Sequence, residues 1–157
     1  MNAEAKQAAN PLGLEHQFCF ALYSASHAMT KAYKPLLDAL GLTYPQYLVM
    51  LVLWEQDAVP VKDIGARLYL DSGTLTPLLK RLETAGLLVR NRDPDDERHV
   101  RISLTPAGRA LRDRARDIPD QIACACRREA DALAKLHGEL TQVREELFRS
   151  GGKDEQT

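Results

Sequence analysis

Cysteine is scarce in this sequence of 157 residues, which contains only three, at positions 19, 124 and 126. An odd count this small predicts no disulfide framework, and the N-terminal residues lack the basic-then-apolar pattern of a secretion signal. Chains of this kind occupy reducing compartments, where thiols stay free, act in catalysis or sense oxidants. We therefore expect a cytoplasmic protein.

The sequence also has no long hydrophobic run, and its net charge is close to zero. The longest apolar run, YLVMLVLW at 47–54, is far shorter than the roughly 20 residues that cross a bilayer, so we expect no membrane partner. A net charge of −1 does not by itself predict a nucleic-acid partner, and the distribution of the charges has to decide. The length predicts about one domain with a sizeable core.

Spacings that hold metals or phosphates do not occur in the sequence either. Cys124 and Cys126 have neither a CxxC spacing nor a matching second pair. A zinc site that also uses His16, Cys19 or His137 is therefore not expected. The sequence has no glycine-rich phosphate loop and no serine hydrolase motif. We expect no cofactor and no bound metal.

What the sequence does contain is mostly helical periodicity, which begins near residue 14. Two stripes wind along this first helix, one apolar and one of thiol, ring and hydroxyl groups. The apolar stripe consists of Leu14, Phe18, Ala21, Leu22, Ala25 and Met29, and the second consists of His16, Cys19, Tyr23, Ser26 and Thr30. Cys19 thus lies off the apolar face, although a cysteine considered alone is more often a small packing residue than a reactive one.

A second helical region follows the first. Pro35 and Gly41 set off a short helical piece, KPLLDALG, from the first helix. Thr43 and Gln46 then form a capping box, which predicts the start of a new helix. That helix runs through LVMLVLWE and is apolar nearly all round, so we expect it at the centre of the core.

Two helical segments in the middle of the chain, VKDIGARLYL (61–70) and TLTPLLKRLETAG (74–86), are joined by a tight DSG turn. Asp71 or Ser72 can cap the second helix, and Pro77 must lie near its first turn or kink it. Its apolar face consists of Leu75, Leu78, Leu79 and Leu82, and its opposite face carries Thr74, Thr76, Lys80 and Thr84. The pattern predicts a DNA-binding helix-turn-helix or, alternatively, a helical hairpin with a solvated face.

The residues after this pair of helices predict a β-hairpin, with LLVRNR and RHVRISLT as strands and DPDDE as the turn. Val100, Ile102 and Leu104 alternate with polar residues, the period of a half-buried strand. A helix-turn-helix followed by a hairpin is a winged helix. The hairpin has arginines at 90, 92, 98 and 101 and acids at 93, 95, 96 and 97. Asp96 can orient Arg98 toward a DNA minor groove, and the alternative is a solvated turn with incidental charges.

The last third of the chain is predicted as a long helix that Thr105 caps and that Pro119 breaks or kinks. Its apolar stripe is longer than one small domain can cover: Ile122, Cys126, Leu133, Leu136, Leu140, Val143 and Leu147. With the first helix, this stripe predicts a two-fold dimer whose recognition helices enter successive major grooves about 34–36 Å apart.

The predicted fold is therefore mainly α, a winged helix-turn-helix with a small β-hairpin wing, in which the N- and C-terminal helices form a dimerisation region. We expect a flexible N-terminus at 1–10, dimerisation and sensor helices at 11–56, the DNA-binding region at 57–105, dimerisation helices at 106–149 and a flexible tail at 150–157.

The segment LYLDSGTLTPLLKRLETAGLLVRNRDPDDERHVRISLTPAG resembles the core of the MarR family of dimeric winged-helix transcription regulators. Asp96, Glu97 and Arg98 in the wing, and LTPAG after it, carry part of this resemblance. The earlier segment FCFALYSASHAMTKAYKPLLDALGLTYPQYLVMLVLWE is similar to the OhrR branch of that family, which represses an organic-hydroperoxide resistance gene. The match covers roughly residues 12–148.

The OhrR resemblance implies roles for four residues that generic MarR proteins lack as a set. By that resemblance Cys19 is the peroxide-sensing thiol, Tyr33 and Tyr44 hydrogen-bond the sensing cysteine across the dimer, and Tyr23 is a third tyrosine nearby. A thiolate that attacks a peroxide needs donors that stabilise its charge, and phenol hydroxyls supply them. The apolar side chains that suit the entry of an organic peroxide are Phe18, Phe20 and Met29.

Members of the branch that have a second cysteine near the C-terminus close an intersubunit disulfide after oxidation, and this chain resembles that class. On a helical wheel Cys126 lies on the apolar stripe and Cys124 lies opposite it. Because attack on a sulfenic acid requires an accessible thiol, we expect Cys124 to resolve Cys19, with Cys126 as the alternative.

The resemblance thus implies a homodimeric repressor that binds double-stranded operator DNA and releases it when an organic hydroperoxide oxidises Cys19. The residues expected at the major groove and its phosphates are Ser72, Thr74, Thr76 and Lys80, and those expected at the minor groove are Asp96 and Arg98. Two alternatives remain open. One is a MarR-family regulator that binds a small phenolic or lipophilic ligand, and the other is a thiol peroxidase, although we expect no enzyme.

Overall fold

The computed structural model describes residues 10–96 and 98–151. Residues 1–9 and 152–157, most of the two ends predicted to be flexible, lie outside the described residues. Along the described ranges, none of the helices is long and apolar enough to cross a membrane. After a short 3-10 helix at Leu14–His16 the elements are α1 (Phe18–Asp38), α2 (Tyr44–Glu55), β1 (Val59–Pro60), α3 (Val61–Leu68), α4 (Ser72–Thr84), β2 (Leu88–Arg92), β3 (Val100–Leu104), α5 (Pro106–Ala115), α6 (Ile118–Ala125) and α7 (Ala130–Gly151).

The first long helix, α1, differs from the prediction at both ends. Gln17 has extended backbone angles, so Leu14 and His16 lie in the separate 3-10 turn and not on the stripes of α1. At the other end Pro35 lies inside α1, which continues to Asp38. The expected break at Pro35 is therefore wrong, because a proline this close to a helix end costs only the hydrogen bond to the carbonyl one turn earlier.

Helix α2 forms the centre of the core, as its sequence predicts. Thr43 and Gln46 make the reciprocal capping box, in which the Thr43 N–H donates to Gln46 Oε1 at 2.9 Å. The buried residues of α2 are Tyr47, Val49, Met50, Val52 and Leu53. Burial on several sides explains why this helix shows almost no amphipathic pattern.

Helices α3 and α4 form the predicted helix-turn-helix. Helix α3 ends at Tyr69, which adopts a left-handed φ of 56° where glycine is usual, and the N–H of Leu70 donates to the Gly65 carbonyl at 3.0 Å. The four leucines predicted on the apolar face of α4 are all buried: Leu75, Leu78, Leu79 and Leu82. Pro77 is the sixth residue of α4, just after its first turn.

The wing is an antiparallel sheet with the order β1-β3-β2. Leu88 pairs with Leu104, and Arg92 pairs with Val100, which gives the predicted hairpin. The sequence analysis missed the short strand β1, in which Val59 pairs with Ile102. The three strands and the helix-turn-helix confirm the predicted winged helix.

Asp57, in the loop after α2, joins three parts of the winged helix. Its Oδ1 accepts the backbone N–H of Ala58 and of Leu104, each at 2.8 Å, and its Oδ2 accepts a hydrogen bond of 2.6 Å from the Arg109 guanidinium. Burial raises the pKa of Asp57, but the hydrogen bonds from Leu104, Arg109 and Ala58 together outweigh burial and lower it. The ionised carboxylate therefore fixes the loop against β3 and α5.

Helix α5 packs closely against the base of the hairpin. Thr105 caps it and Pro106 occupies its first turn, as predicted. The Trp54 indole N–H of α2 donates to the Gly108 carbonyl at 2.9 Å. A Cβ at Gly108 would lie 2.0 Å from the carbonyl oxygen of Leu87, so this position requires glycine.

The chain divides between Arg116 and Asp117 into two compact units, and the second contains α6 and α7. Pro119 lies in the first turn of α6, so the helical region is broken there, as predicted. A second break follows Cys126, where Arg127 has a φ of 50°. The sequence analysis missed this break because neither glycine nor proline marks it.

Replacement of Asp57 by alanine should lower the free energy of unfolding by about 2 kcal/mol, because the N–H of the buried Leu104 loses its acceptor. Urea denaturation at a fixed protein concentration measures the change. Asp113→Ala is the control, since Asp113 and Arg116 form an exposed pair, and it should cost less than about 0.5 kcal/mol. Equal losses in the two variants would contradict the role assigned to Asp57.

Asp57→Asn tests the charge of the same side chain. A carboxyl whose pKa is lower in the folded than in the unfolded chain stabilises the fold above its unfolded pKa of about 3.9. That stabilisation disappears as the pH falls through the folded pKa. The stability difference between the parent and Asp57→Asn should therefore be constant near pH 7 and shrink below about pH 4. A difference that is equal at the two extremes would argue against an ionised Asp57.

Candidate DNA-binding face and thiol sensor

The outer face of α4 carries the small polar residues that the sequence assigned to DNA. The four predicted residues are all exposed: Ser72, Thr74, Thr76 and Lys80. Asp71 caps the helix, because its Oδ1 accepts the backbone N–H of Thr74 at 2.8 Å. This bond and the Thr74 hydroxyl lower the pKa of Asp71. The cap fixes the N-terminal turn of α4, the part of a recognition helix that reaches base edges.

At the tip of the wing Asp96 holds Arg98 by two parallel hydrogen bonds. Arg98 Nε donates to Asp96 Oδ1 and Nη2 donates to Oδ2, both at 3.0 Å. The Arg98 side chain is nevertheless 88% exposed, so its guanidinium is oriented but still accessible. The bonds from Arg98 lower the pKa of Asp96, and the same pair raises the pKa of Arg98. The predicted orientation of Arg98 by Asp96 is therefore present. Glu97 lies outside the described residues.

Two other arginines of the hairpin are also bound to carboxylates. Arg101 Nε donates to Asp93 at 2.7 Å, and Asp93 is only 7% exposed. The backbone N–H of Asp95 and the Arg101 guanidinium both lower the pKa of Asp93. Arg90 Nε donates at 2.8 Å to Glu83 on α4. These pairs stiffen the hairpin and tie it to α4, and the guanidinium groups of Arg90 and Arg101 are each engaged by a carboxylate.

A groove of about 370 Å³ runs between the helix-turn-helix and the wing. Its lining combines predicted DNA-binding residues with others that the sequence analysis did not select: Pro60, Val61, Lys62, Ser72, Thr76, Leu79, Arg90, Arg98, His99 and Val100. Lys62 and His99 were missed because they are far apart in sequence and belong to different elements. The groove has basic groups from both sides and apolar residues in its lining.

Cys19 is the second residue of α1 and is exposed. Tyr23, one helical turn later, is 62% exposed, and its ring lies 4.4 Å from that of His27. Cys19 is thus accessible to solutes and has an aromatic neighbour on its own face of the helix.

Tyr33 and Tyr44 lie together, as a shared role requires. Their ring centroids are 4.8 Å apart, and Tyr47 completes the cluster at 5.7 Å from Tyr33. Burial raises the pKa of Tyr44, and burial with the neighbouring Tyr44 raises that of Tyr47. Both phenols therefore keep their protons at neutral pH and can act as hydrogen-bond donors.

Cys19 and this tyrosine cluster are far apart within one chain. Residues 19 and 33 belong to the same helix, and a rise of about 1.5 Å per residue separates them by about 21 Å along its axis. No side chain bridges that distance. Cys19 can meet Tyr33 and Tyr44 only if they belong to different chains.

Beside the tyrosine cluster, a groove of about 670 Å³ follows α1 and the start of α2. Its lining is Ser26, His27, Ala28, Thr30, Lys31, Lys34, Leu37, Asp38, Leu42, Thr43 and Tyr44. The apolar face of α1 is uncovered in the single chain, where Phe18 is 57% exposed and Leu37 is the buried residue of the helix. The surface can therefore accept an apolar partner.

The two C-terminal cysteines differ in access, as the helical wheel predicted. Cys124 is exposed in α6, and Cys126 at its end is half-buried. Across residues 10–96 and 98–151, histidine, cysteine and acidic side chains form no group of three or more that could hold a metal ion.

Comparison with known proteins identifies the class. The family model described as transcriptional regulator SarA/Rot matches residues 31–115. The chain belongs to the MarR and SarA/Rot type of winged-helix transcriptional regulators. Members of this class regulate transcription and are not enzymes, so the prediction of a regulator is confirmed and a thiol peroxidase is not supported.

Within this class the chain is 52% identical, over 136 residues, to the organic hydroperoxide resistance transcriptional regulator of Bacillus subtilis. The match covers 87% of this chain and 92% of that protein. Similar solved structures include AbfR of Staphylococcus epidermidis in two states. Reduced AbfR bound to DNA has a TM-score of 0.72 and 36% identity over 85% of this chain and 93% of that chain. Disulfide-formed AbfR has a TM-score of 0.61 and 35% identity over 87% and 92%.

Arg98→Ala should weaken DNA binding by about tenfold, because it removes the oriented cation at the wing tip. Fluorescence anisotropy measures this with a duplex first selected by the protein from a random pool. Arg116→Ala is the matched control, since Arg116 forms an exposed pair outside the wing, and it should bind like the parent. If Arg98→Ala bound as tightly as the parent at every salt concentration, the assignment of the wing would be wrong.

Proposed function

We propose that the protein is a dimeric transcriptional repressor that binds its operator when Cys19 is reduced and releases it when an organic hydroperoxide oxidises Cys19. The observation that carries this proposal is an exposed thiol, Cys19, on the same helix as Tyr33, which lies about 21 Å further along the axis and packs against Tyr44 of α2. In a two-fold dimer, Cys19 of each chain can meet Tyr33 and Tyr44 of the other chain, which gives two equivalent sites. The similarity to an organic hydroperoxide resistance regulator indicates the oxidant.

The dimer interface is assigned to the N-terminal segment 11–56 and the C-terminal segment 106–149. In the first, α1 leaves Phe18 and Met29 exposed. In the second, the 22 residues of α7 include none that is buried, although its stripe contains Leu136, Leu140 and Leu147. Because amphipathic helices are stabilised mainly by packing of the apolar face, a second copy is the natural cover for both.

Oxidation begins with attack of the Cys19 thiolate on the peroxide. An S–O bond forms to one oxygen, the O–O bond breaks, and the other oxygen takes a proton and leaves as an alcohol, so Cys19 becomes a sulfenic acid. Tyr33 and Tyr44 of the other chain donate hydrogen bonds that stabilise the thiolate, and Tyr23 lies beside it on its own helix. The apolar side chains Phe18, Phe20 and Met29 favour an organic peroxide over a polar one.

Cys124 of the other chain then attacks the sulfenic sulfur. An S–S bond forms, the S–O bond breaks, and water leaves with the proton. The exposure of Cys124 favours it over the half-buried Cys126. A disulfide requires Cα atoms within about 7 Å, so its closure restrains the helices that build the dimer. A shift of those helices changes the spacing of the two recognition helices, and the operator register is lost.

A regulator of this kind acts where the chromosome is, which in its bacterial relatives is the cytoplasm. The reducing conditions there keep Cys19 in its DNA-binding state until a peroxide appears.

The α1–α2 groove supports a second candidate, a regulator that binds a small phenolic or lipophilic ligand. Its volume of about 670 Å³ lies within the usual range for small-molecule sites. Cys19→Ser separates the two functions. A peroxide sensor loses its response in this variant, whereas a ligand-binding regulator still releases DNA on addition of the phenol.

Cumene hydroperoxide should release the parent protein from its operator and give a covalent dimer on a non-reducing gel. Cys19→Ser should stay bound and form no covalent dimer. Cys124→Ser should still be oxidised at Cys19, detected by mass spectrometry, but should lack the crosslink, and Cys126→Ser should retain it. A crosslink that persists in Cys124→Ser and vanishes in Cys126→Ser would reverse the assignment of the resolving cysteine.

Phenylalanine at positions 33 and 44 tests the tyrosines, because it keeps ring packing and removes only the donors. The double variant should bind the operator when reduced, and its Cys19 should react with the peroxide at least tenfold more slowly, on the order of the loss from removing a charge-stabilising donor. Tyr69→Phe, outside the cluster, is the control for the oxidation rate. A parental oxidation rate in the double variant would remove Tyr33 and Tyr44 from the mechanism.

A further inference from the structure

We propose that the groove between α4 and the wing seats one sugar–phosphate backbone of the operator, and that Lys62 and His99 contact its phosphates. This inference rests on the proposed function and adds two DNA-binding residues to it. In a duplex, one sugar–phosphate backbone always separates the major groove from the adjacent minor groove. A protein that inserts α4 into the first and Arg98 into the second must straddle that backbone.

The position of the groove matches this requirement. Ser72 and Thr76 of α4 line one side, and Arg98 and His99 of the wing line the other. The lining also includes apolar residues, Val61 and Val100 among them, which suit the carbon face of a deoxyribose.

The charges of the groove favour a polyanion. Lys62 lies in the first turn of α3, where the helix dipole adds to its positive charge, and among the described residues its ammonium has no ion-pair partner. His99 Nδ1 lies 3.5 Å from Asp96 Oδ2. Two carboxylates that bind arginines lining the groove are already engaged, Glu83 by Arg90 and Asp96 by Arg98. Lys62 therefore contributes most of its charge to a bound phosphate.

Phosphate contacts and base contacts have different signatures. Loss of one phosphate contact weakens binding to operator and non-operator duplexes by the same factor and lowers the slope of log K against log salt by about one unit. Lys62→Met should behave in this way, whereas His99→Ala, which removes a hydrogen-bond donor, should weaken binding to both duplexes by the same factor. The advantage of the parent over Lys62→Met should shrink about threefold between about 50 and 200 mM salt. Lys135→Met, which removes the same charge from α7, should keep the parental slope.

A duplex with a single neutral methylphosphonate identifies the contact. The substitution is moved through the positions between the half-site and its flanking minor groove. At one position the parent should lose affinity while Lys62→Met loses none, because the charge pair is already absent. Equal losses for the two proteins at every position, or a parental salt slope in Lys62→Met, would overturn the assignment of Lys62. Parental affinity of His99→Ala for both duplexes would overturn the assignment of His99. Failure of the reduced parent to select any operator would instead overturn the proposed function.

Discussion

A single helix separates the sensing thiol from the groups that tune it, and the proposed mechanism depends on this constraint. Helix α1 holds Cys19 near its start and Tyr33 about 21 Å further along the axis. The chain alone therefore contains both halves of the sensor but no complete site. In the proposed dimer, an antiparallel approach of two α1 helices would place each thiol beside the other chain's tyrosines. It also means that oxidation acts on the interface itself.

On the proposed DNA-binding face, acidic side chains orient the basic side chains. A chain with a net charge of −1 has little general attraction for DNA. In the wing, however, Asp96 fixes the guanidinium of Arg98 and leaves it exposed, while Asp93 and Glu83 hold Arg101 and Arg90 in place. Two of the acids in the turn that would repel a phosphate backbone, Asp93 and Asp96, are thereby paired with arginines. DNA binding then depends on a few oriented cations and not on a large net positive charge, which favours specific over non-specific DNA binding.

The sequence predicted which helices and strands exist better than the residues at which they begin and end, and each error has a physical reason. Capping and periodicity located the helix-turn-helix and the hairpin because both are local signals. Pro35 was expected to separate two helical pieces, yet it lies inside α1, three residues before its end. The break at Arg127 has no sequence marker. The groove that joins Lys62 to His99 could not be predicted, because it is made by tertiary contact between elements about 37 residues apart.

Helix α5 contacts both the base of the wing hairpin and the residue just after α1. Its cap residue Thr105 donates its hydroxyl to the Gly86 carbonyl at 2.6 Å, at the base of the hairpin, and Gly108 lies against Leu87 so closely that no side chain fits between them. Near its other end the Arg114 guanidinium donates to the carbonyl of Ala39, just after α1. Packed contacts of this kind transmit displacements because close-packed interiors do not deform continuously. A shift of α1 on disulfide closure would therefore move the wing as well as re-space the recognition helices. In the proposed mechanism both changes would favour release of the operator.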